Sequence, residues 1–236
     1  MGYLCLISLG KWIVRCDMPN SAARLLIVDD EPSIRSSLSQ ALAELGFSIR
    51  TAEDGFSALR EIRLQVPEIL ISDLNMPSMS GFELLSVVRR RFPDMRSIAM
   101  SGAFSGDEVP SGVAADAFYQ KGSSVGALLQ MIGSLHHQER RAACRTEPTD
   151  PIWIPRNAHD PQGDTCLTIT CPECLRTFAH APGNSICEIH EAICAHCRTS
   201  VRYAIVEPLD RLPLQTLRKP ISEAREMPDG ATPSYY

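Results

Sequence analysis

Five polar residues in the first half of the chain carry side chains that could together accept a phosphoryl group. They are Asp29, Asp30, Asp73, Ser101 and Lys121. They lie at or near the ends of four separate apolar runs, and the carboxyl ends of parallel strands meet at one edge of an open α/β sheet. Carboxylates gathered there can hold a hard cation such as Mg²⁺, and one of them can act as a nucleophile. The pattern predicts an acidic, metal-dependent phosphate acceptor.

The elements that must position these residues alternate between strands and helices. Helical spacing of apolar residues follows the strand-like runs, with Pro32 in the first helical turn and Asp54 as a helix N-cap. Such alternation implies right-handed crossovers and a parallel sheet with helices on both faces. We therefore predict a doubly wound α/β domain over residues 22–140. Its five predicted strands are 24–28, 47–51, 68–72, 97–100 and 115–119.

Four sequence blocks resemble the receiver domain of two-component response regulators, and they occur in that family's order. The blocks are 26–32, 73–81, 100–103 and 119–121. The resemblance covers about residues 22–138 and implies a flavodoxin-like, five-stranded sheet of order 2-1-3-4-5. It also implies a phosphoprotein that assists its own phosphotransfer and is not a dedicated enzyme. A histidine kinase or a phosphotransfer protein would be the phosphate donor.

The residues of this predicted site then have distinct roles. Asp73 would attack phosphorus on a phosphohistidine and become an aspartyl phosphate. Asp30, Asp73 and the main-chain carbonyl of Asn75 would hold Mg²⁺, with Asp29 binding it directly or through water. Lys121 would neutralise charge on the transferring group, which is where most catalysis of phosphoryl transfer lies.

The resemblance also implies a switch that reports phosphorylation. Ser101 would bind the phosphoryl oxygens and rotate inward, and Phe118 stands at the family's aromatic switch position. Simple core packing is the alternative for Phe118, since aromatic residues are often buried. Between Ser101 and Lys121 the chain contains Gly106 and Pro110, which predicts a short or irregular fourth helix.

A second constellation lies in the C-terminal half. Two Cys-x-x-Cys pairs are separated by 19 residues, a spacing typical of structural zinc sites. Four thiolates close a tetrahedral shell and leave no open position for catalysis. With strand-like runs at 167–170 and 201–206, this segment resembles a zinc ribbon, and we predict a small β module over residues 166–207. The predicted Zn²⁺ ligands are Cys171, Cys174, Cys194 and Cys197.

Two alternatives accompany the zinc site. Redox chemistry through either pair is possible in principle, although two pairs at ribbon spacing favour metal. Further potential ligands are nearby, but four sulfurs already saturate Zn²⁺, so we expect these to be structural or incidental. They are Cys166, Cys187, His190 and His196.

The remaining segments carry less chemistry. Residues 1–21 are predicted to be either a frayed extension or a start assigned upstream of the true one, 141–165 a proline-rich linker, and 208–236 a partly disordered tail. Trp153 in the linker is either a chance apolar residue or a clip onto a domain. No apolar run is long enough to span a bilayer. Paired thiols without a secretory signal predict a cytoplasmic protein.

The charge of the chain helps to decide which kind of partner the predicted phosphoacceptor would act on. The net charge is −5 over 236 residues, and residues 145–236 hold nine Lys or Arg against twelve Asp or Glu. This is not the electrostatic footprint of a nucleic-acid-binding chain. We therefore predict a response regulator whose ribbon docks a protein partner. A DNA-binding transcriptional regulator is the alternative, and a metalloenzyme is disfavoured because the predicted metal shell is all cysteine.

Overall fold

The computed structural model describes residues 6–9, 12–15, 23–102, 113–137, 150–155, 158–159, 165–181 and 188–206. The chain divides into two units, residues 1–206 and 207–236, and the second unit lies outside the described residues. The predicted tail is therefore not described. At the other end, β1 (Leu6–Leu9) and β2 (Trp12–Arg15) pair as an antiparallel hairpin where an unstructured extension was predicted. Both strands are rich in residues that favour extended backbone.

A five-stranded, all-parallel sheet forms the first domain. Its spatial order is β4-β3-β5-β6-β7, so the five strands run second, first, third, fourth, fifth. This confirms the predicted doubly wound α/β fold. The three central strands, β3, β5 and β6, are mostly buried, as expected where helices cover both faces of a parallel sheet. The strands are β3 (Arg24–Val28), β4 (Ser48–Ala52), β5 (Ile69–Asp73), β6 (Arg96–Ser101) and β7 (Ala117–Gln120).

Four helices connect or follow these strands in the described ranges. One hydrophobic core lies between the sheet and the pair α1 and α4, with Leu42 and Leu128 fully buried in it. Helices α2 and α3 pack against the strands on the other side. The predicted fourth helix of the family falls on residues 103–112, outside the described residues. The helices are α1 (Pro32–Glu44), α2 (Gly55–Leu64), α3 (Gly81–Arg91) and α4 (Val125–His137).

Local sequence explains where the helices begin. Pro32 occupies the first turn of α1, where its missing N–H costs nothing. Asp54 caps α2 by accepting a hydrogen bond of 2.7 Å from the Ser57 N–H, in a reciprocal capping box. Ser80 caps α3 in the same way, accepting from the Glu83 N–H at 3.3 Å. The N-cap predicted at Asp54 is confirmed.

Two three-stranded sheets form the rest of the described structure, and we call β8 to β13 the C-terminal module. One sheet has the order β11-β10-β9, and the other has the order β12-β13-β8, in which β8 runs parallel to β13. Its strands are β8 (Ile152–Pro155), β9 (Ala158–His159), β10 (Thr165–Thr170), β11 (Thr177–His180), β12 (Ile189–Ile193) and β13 (Ser200–Val206).

The module begins earlier than the sequence predicted. Strands β8 and β9 fall inside residues 141–165, which were predicted as a linker. Ile152 and Ile154 are buried, so alternate residues of β8 face a core. Trp153 is half-buried between them, and β8 packs against α3. Of the two predictions for this tryptophan, the docking clip agrees with the structure.

Helix α3 therefore lies between the large sheet and the C-terminal module. All eight residues from Gly81 to Val88 are buried, including the polar Glu83 and Ser86. An amphipathic helix on a domain surface would expose such polar residues to water. The all-round burial of α3 shows that the module covers the face that would otherwise be solvated.

Candidate functional site

The parallel sheet brings the five predicted polar residues to the carboxyl ends of three adjacent strands and the segment after a fourth; we call them the aspartate site. Asp29 follows β3 directly, Asp73 ends β5 and Ser101 ends β6. Lys121 follows β7, and its backbone N–H donates a hydrogen bond of 2.8 Å to the Ser101 carbonyl. Sequence-remote residues thus become neighbours at the edge where open α/β sheets bind ligands.

Lys121 links the two buried carboxylates of the site. Its Nζ lies 2.8 Å from Asp29 Oδ2 and 3.1 Å from Asp73 Oδ2. Asp29 is fully buried and also accepts a hydrogen bond of 2.9 Å from the Glu31 N–H. One ammonium therefore offsets the repulsion between two carboxylates that would otherwise be costly to hold together.

Burial and charge act against each other on this pair. Burial raises the pKa of Asp73 above its ordinary value, Lys121 lowers it, and the nearby Asp29 raises it again. Burial alone would lower the pKa of Lys121, but its hydrogen bonds and charge interactions with Asp29 and Asp73 raise it overall. Lys121 therefore stays a cation at neutral pH, and it opposes protonation of Asp73.

The three aspartates could hold a cation together. One carboxylate oxygen from each of Asp29, Asp30 and Asp73 lies within 4.8 Å of the others, and Asp30 is exposed. Neighbouring ligands of an octahedral Mg²⁺ stand about 3 Å apart and opposite ligands about 4.2 Å apart. An all-oxygen donor set with an open side fits a hard cation that keeps several waters. Asn75, whose carbonyl was predicted as a ligand, is exposed, and its N–H donates to the Asp73 carboxylate.

Two predicted switch residues occupy different environments. Ser101 is fully buried at the end of β6. Phe118 is half-buried in β7 and pairs in register with Ala99. Its neighbour Tyr119 packs into the core beneath α1 and α4, so Phe118 faces the opposite side of the sheet. The switch roles remain predictions.

Gly81 ends the sequence block 73–81, and the structure shows why glycine stands there. A Cβ atom at this position would lie 1.9 Å from the Asp73 carbonyl oxygen. The start of α3 therefore touches the backbone of the strand that carries Asp73. In the sequence, this contact is marked by a glycine eight residues after Asp73. Only a residue without a side chain allows the two backbone segments to approach so closely.

The four predicted zinc ligands converge in the C-terminal module, and we call them the cysteine site. The Cys171 and Cys197 sulfurs lie 3.6 Å apart, and those of Cys174 and Cys194 lie 3.7 Å apart. All four sulfurs are within 4.8 Å of one another. A tetrahedral Zn²⁺ with Zn–S bonds of about 2.3 Å would separate its sulfurs by about 3.8 Å. The spacing fits that shell.

Two equivalent turns create this geometry. In the first, Cys171 N–H donates to the Arg176 carbonyl and Leu175 N–H to the Cys171 carbonyl, at 3.0 and 2.8 Å. In the second, Cys194 and Arg198 make the same bonds at 2.9 and 3.0 Å. Leu175 and Arg198 both have positive φ, 55° and 65°. Each Cys-x-x-Cys pair is thus a self-contained knuckle that points two sulfurs the same way.

The protonation of these thiols depends on their surroundings. Burial raises the pKa of Cys171 to about 12, whereas hydrogen bonds with Thr199 lower the pKa of the exposed Cys197 to about 6. Metal ligation requires thiolates, so a bound cation would have to supply the charge that stabilises Cys171. His196 Nε2 lies within hydrogen-bond distance, 2.9 Å, of the Thr177 carbonyl oxygen, and the His190 ring lies against that of Tyr203. Within the described residues neither histidine joins the cysteine site; Cys187 and the side chain of Cys166 fall outside them.

Hydrogen bonds join the two halves of the molecule. The Thr170 N–H donates at 2.9 Å to the buried carboxylate of Glu83, and Trp153 N–H donates to Ser86 Oγ at 3.4 Å. Burial raises the pKa of Glu83 to about 7. These contacts were not predicted, because nothing in the periodicity of α3 marks Glu83 as buried.

Met79 extends the contact toward the aspartate site. It is fully buried in the loop between Asp73 and α3, and its Sδ lies 4.0 Å from Thr170 Oγ1. A Cβ atom on Gly55, at the start of α2, would come within 2.7 Å of the Met79 side chain. The loop that begins at Asp73 therefore touches the residue that precedes Cys171.

Comparison with known proteins agrees with this geometry. Residues 25–132 match the response regulator receiver domain family. The chain is 30% identical to the transcriptional regulatory protein PrrA of Mycobacterium leprae over 136 residues, which are 57% of this chain and 58% of that protein. It is 39% identical to the DNA-binding transcriptional regulator NtrC of Escherichia coli over 75 residues, 32% of this chain and 16% of that protein. The chain thus spans little more than half of one relative and a small part of the other.

Among solved structures, the chemotaxis response regulator CheY4 of Vibrio cholerae aligns with a TM-score of 0.46 and 29% identity, covering 49% of this chain and 99% of that one. None of the helices in the described ranges has the length and apolar content needed to cross a bilayer. The sheet order, the strand-end residues and the family match all concern the same segment. Residues 25–132 are a response regulator receiver domain.

Proposed function

We propose that this chain is the phosphoacceptor of a two-component phosphorelay and that Asp73 carries the phosphoryl group. One observation carries the proposal: three carboxylates and Lys121 converge at one sheet edge, with Lys121 Nζ 3.1 Å from Asp73. The donor is a histidine kinase or a histidine phosphotransfer protein. The chain assists its own phosphotransfer and is not a dedicated enzyme.

In this mechanism an Asp73 carboxylate oxygen attacks phosphorus on the donor phosphohistidine. An O–P bond forms as the N–P bond breaks, and the imidazole nitrogen keeps the electron pair and takes up a proton. Lys121 neutralises negative charge on the transferring oxygens. Asp29, Asp30, Asp73 and the Asn75 carbonyl would hold Mg²⁺, which supplies further charge neutralisation. Ser101, buried beside Asp73 on the next strand, is the proposed hydroxyl partner of the phosphoryl group, with Phe118 as the second switch residue.

Phosphorylation by acetyl phosphate with Mg²⁺ tests the assignment. Intact-mass spectrometry should detect one added phosphoryl group on the wild type and none on Asp73→Ala. Asp94→Ala removes an exposed carboxylate in the turn after α3 and serves as the matched control, which should be phosphorylated like the wild type. Equal phosphorylation of Asp73→Ala would refute the proposal.

We further propose that the cysteine site holds one structural Zn²⁺. The sulfur spacings of 3.6 and 3.7 Å support this, since they match the edge of a tetrahedral ZnS₄ shell. A reducing cytoplasm is the corresponding compartment, because the four thiols must stay reduced to bind metal. Metal analysis of the purified chain should give about one equivalent of zinc.

The proposed output is docking of a protein partner by the C-terminal module. Support comes from the contact path that runs from Asp73 through Met79 to Thr170 and so to Cys171. A changed conformation of the loop after Asp73 would then alter the module directly. Hydrogen exchange at the Thr170 amide, with and without beryllofluoride, tests this path: the rate should change in the wild type and not in Asp73→Ala.

DNA binding is the second candidate, motivated by the transcriptional regulators among the relatives. Charge argues against it, because residues 165–181 and 188–206 contain three arginines and three glutamates. Binding to a DNA duplex that weakens steeply with salt and strengthens on phosphorylation would favour this candidate over protein docking.

A further inference from the structure

A cleft of about 460 Å³ opens between helix α2 and the knuckles of the C-terminal module. From α2 it is lined by Arg60 and Arg63, and from the module by Arg176 and His196. No aspartate or glutamate is among the described residues that line it. In a chain with a net charge of −5, this cleft concentrates positive charge.

Two of the arginines are available to a ligand. Arg60 and Arg176 are exposed, and their side chains make no hydrogen bond or ion pair with another described residue. Arg63 has a different role: its Nη2 donates to the Leu175 carbonyl at 2.6 Å and ties α2 to the first knuckle. Guanidinium groups bind carboxylates through two parallel hydrogen bonds, so the free pair is complementary to acidic side chains.

An apolar surface accompanies the charges. Phe56, at the start of α2, is 38% exposed and lines the cleft, as does the half-buried Leu175. A small inorganic anion would use only the arginines. Duplex DNA would need a row of phosphate contacts, and the module outside the cleft offers no excess of positive charge. An acidic peptide that also carries an apolar side chain uses both surfaces, and the volume lies within the range of ligand clefts.

We propose that this cleft binds an acidic peptide segment of a partner protein, with carboxylates on Arg60 and Arg176 and an apolar side chain on Phe56. The inference deepens the proposed docking role of the C-terminal module and rests on it. Because one wall belongs to α2 and the other to the module, the cleft keeps its shape only while the two pack together. Binding of the peptide therefore depends on the packing of the module against the receiver domain, which the loop after Asp73 also contacts.

The test is a selection from a random dodecapeptide phage library on the full-length, zinc-containing protein. Enriched peptides should be net acidic and contain an aromatic or aliphatic residue. Synthetic, fluorescein-labelled versions are then titrated by fluorescence anisotropy. For the double variant Arg60→Gln/Arg176→Gln the Kd should rise by about tenfold or more, as for other interface arginines. Arg91→Gln, an exposed α3 arginine outside the cleft, should leave the Kd unchanged.

Enrichment of neutral or basic peptides, no enrichment, or equal affinity of the double variant would each overturn the proposal. So would a labelled DNA duplex that binds the wild type more tightly than any selected peptide and is lost in the double variant. Acetyl phosphate labelling of Asp73 in the same variants reports the phosphoacceptor separately. Normal labelling without peptide binding would reject the cleft alone.

Discussion

The aspartate site and the cysteine site are both clusters of side chains that could hold a metal ion, but the chain builds them in different ways. The aspartate site collects residues from four strand ends that are separated by up to 92 positions, Asp29 to Lys121, and only the complete sheet brings them together. The cysteine site is made of two knuckles, each of which sets its own geometry within six residues through two backbone hydrogen bonds.

The difference agrees with the separate roles proposed for the two clusters. Asp30 is exposed, so the aspartate site is open on one side, and Lys121 offsets part of its negative charge. Four thiolates around one cation leave no position for a substrate, so the cysteine site suits a permanent structural role. A cluster assembled by the global fold can respond to a ligand, whereas one assembled locally serves as a fixed support.

The largest expected effect is the loss of the cysteine site without loss of the aspartate site. Cys171→Ser/Cys194→Ser should lose zinc and, with it, the order of the C-terminal module, because metal binding in such modules is worth about 10 kcal/mol or more. Hydrogen exchange should show unprotected amides at Leu167 and Val201, while acetyl phosphate still labels Asp73. The control is Cys187→Ser, outside both Cys-x-x-Cys pairs. Full zinc content in the double variant would show that the knuckles are not its ligands.

The converse variant perturbs the aspartate site by displacing the backbone that positions it. Gly81→Ala places a Cβ 1.9 Å from the Asp73 carbonyl, so α3 or β5 must move, at a cost of about 3 kcal/mol. Labelling of Asp73 should slow accordingly. In Gly133→Ala, nothing lies within 4 Å of the new Cβ in α4, and that helix should gain about 1 kcal/mol. Similar free energies of unfolding for the two variants, measured in urea, would contradict the crowding argument.

The buried carboxyl between the two sites should make stability depend on pH. The pKa of Glu83 is raised from 4.5 to about 7, so the unfolded state ionises first as pH rises. The free energy of unfolding should therefore fall between these values, by roughly 3 kcal/mol in total. Glu83→Gln keeps an acceptor for Thr170 N–H and should remove this dependence in urea unfolding from about pH 4.5 to 8.

Glu53→Gln, which changes an exposed carboxylate, should keep the pH dependence of the wild type. If Glu83→Gln still loses stability with rising pH as the wild type does, another group is responsible.

The smallest expected effect concerns a single hydroxyl. Ser86→Ala removes the hydroxyl that accepts a hydrogen bond from Trp153 N–H. The hydrogen bond of 2.7 Å that this hydroxyl donates to the Phe82 carbonyl is lost as well. We expect a loss of about 1 kcal/mol in urea unfolding. Ser134→Ala in α4 removes the same kind of bond, 2.8 Å to the Gln130 carbonyl, but at an exposed position, and should change little. Equal losses would mean that the contact with β8 contributes nothing.

Local patterns were enough to predict most of both sites. The apolar runs before Asp29 and Asp73 give the strands, and polar residues after buried strands must lie at one edge of a parallel sheet. The Cys-x-x-Cys spacing likewise predicted the convergence of four sulfurs, because each knuckle is encoded within its own few residues.

What the sequence did not predict is the contact between these parts. Burial of Ser86 and Glu83 depends on strands whose contacting residues lie 67 and 87 positions later, and no period within α3 signals it. The three residues between Pro151 and Pro155 are too few to show alternation, so the sequence predicts a linker where β8 lies. Its pairing with β13, from Tyr203↔Ile152 to Val206↔Pro155, is a long-range partnership that only the folded chain reveals.

The burial of α3 on both sides has a consequence for how this protein can evolve. Since Gly81 to Val88 have no solvent-facing side, a receiver cut after α4 would uncover the face of α3 that the module covers and would remove the partners of Glu83 and Ser86, Thr170 and Trp153. Exchange of the C-terminal module for a different domain, by recombination in the segment after α4, would therefore require new residues on α3. The two parts are therefore expected to be inherited together, and changes in one are expected to select for matching changes in the other.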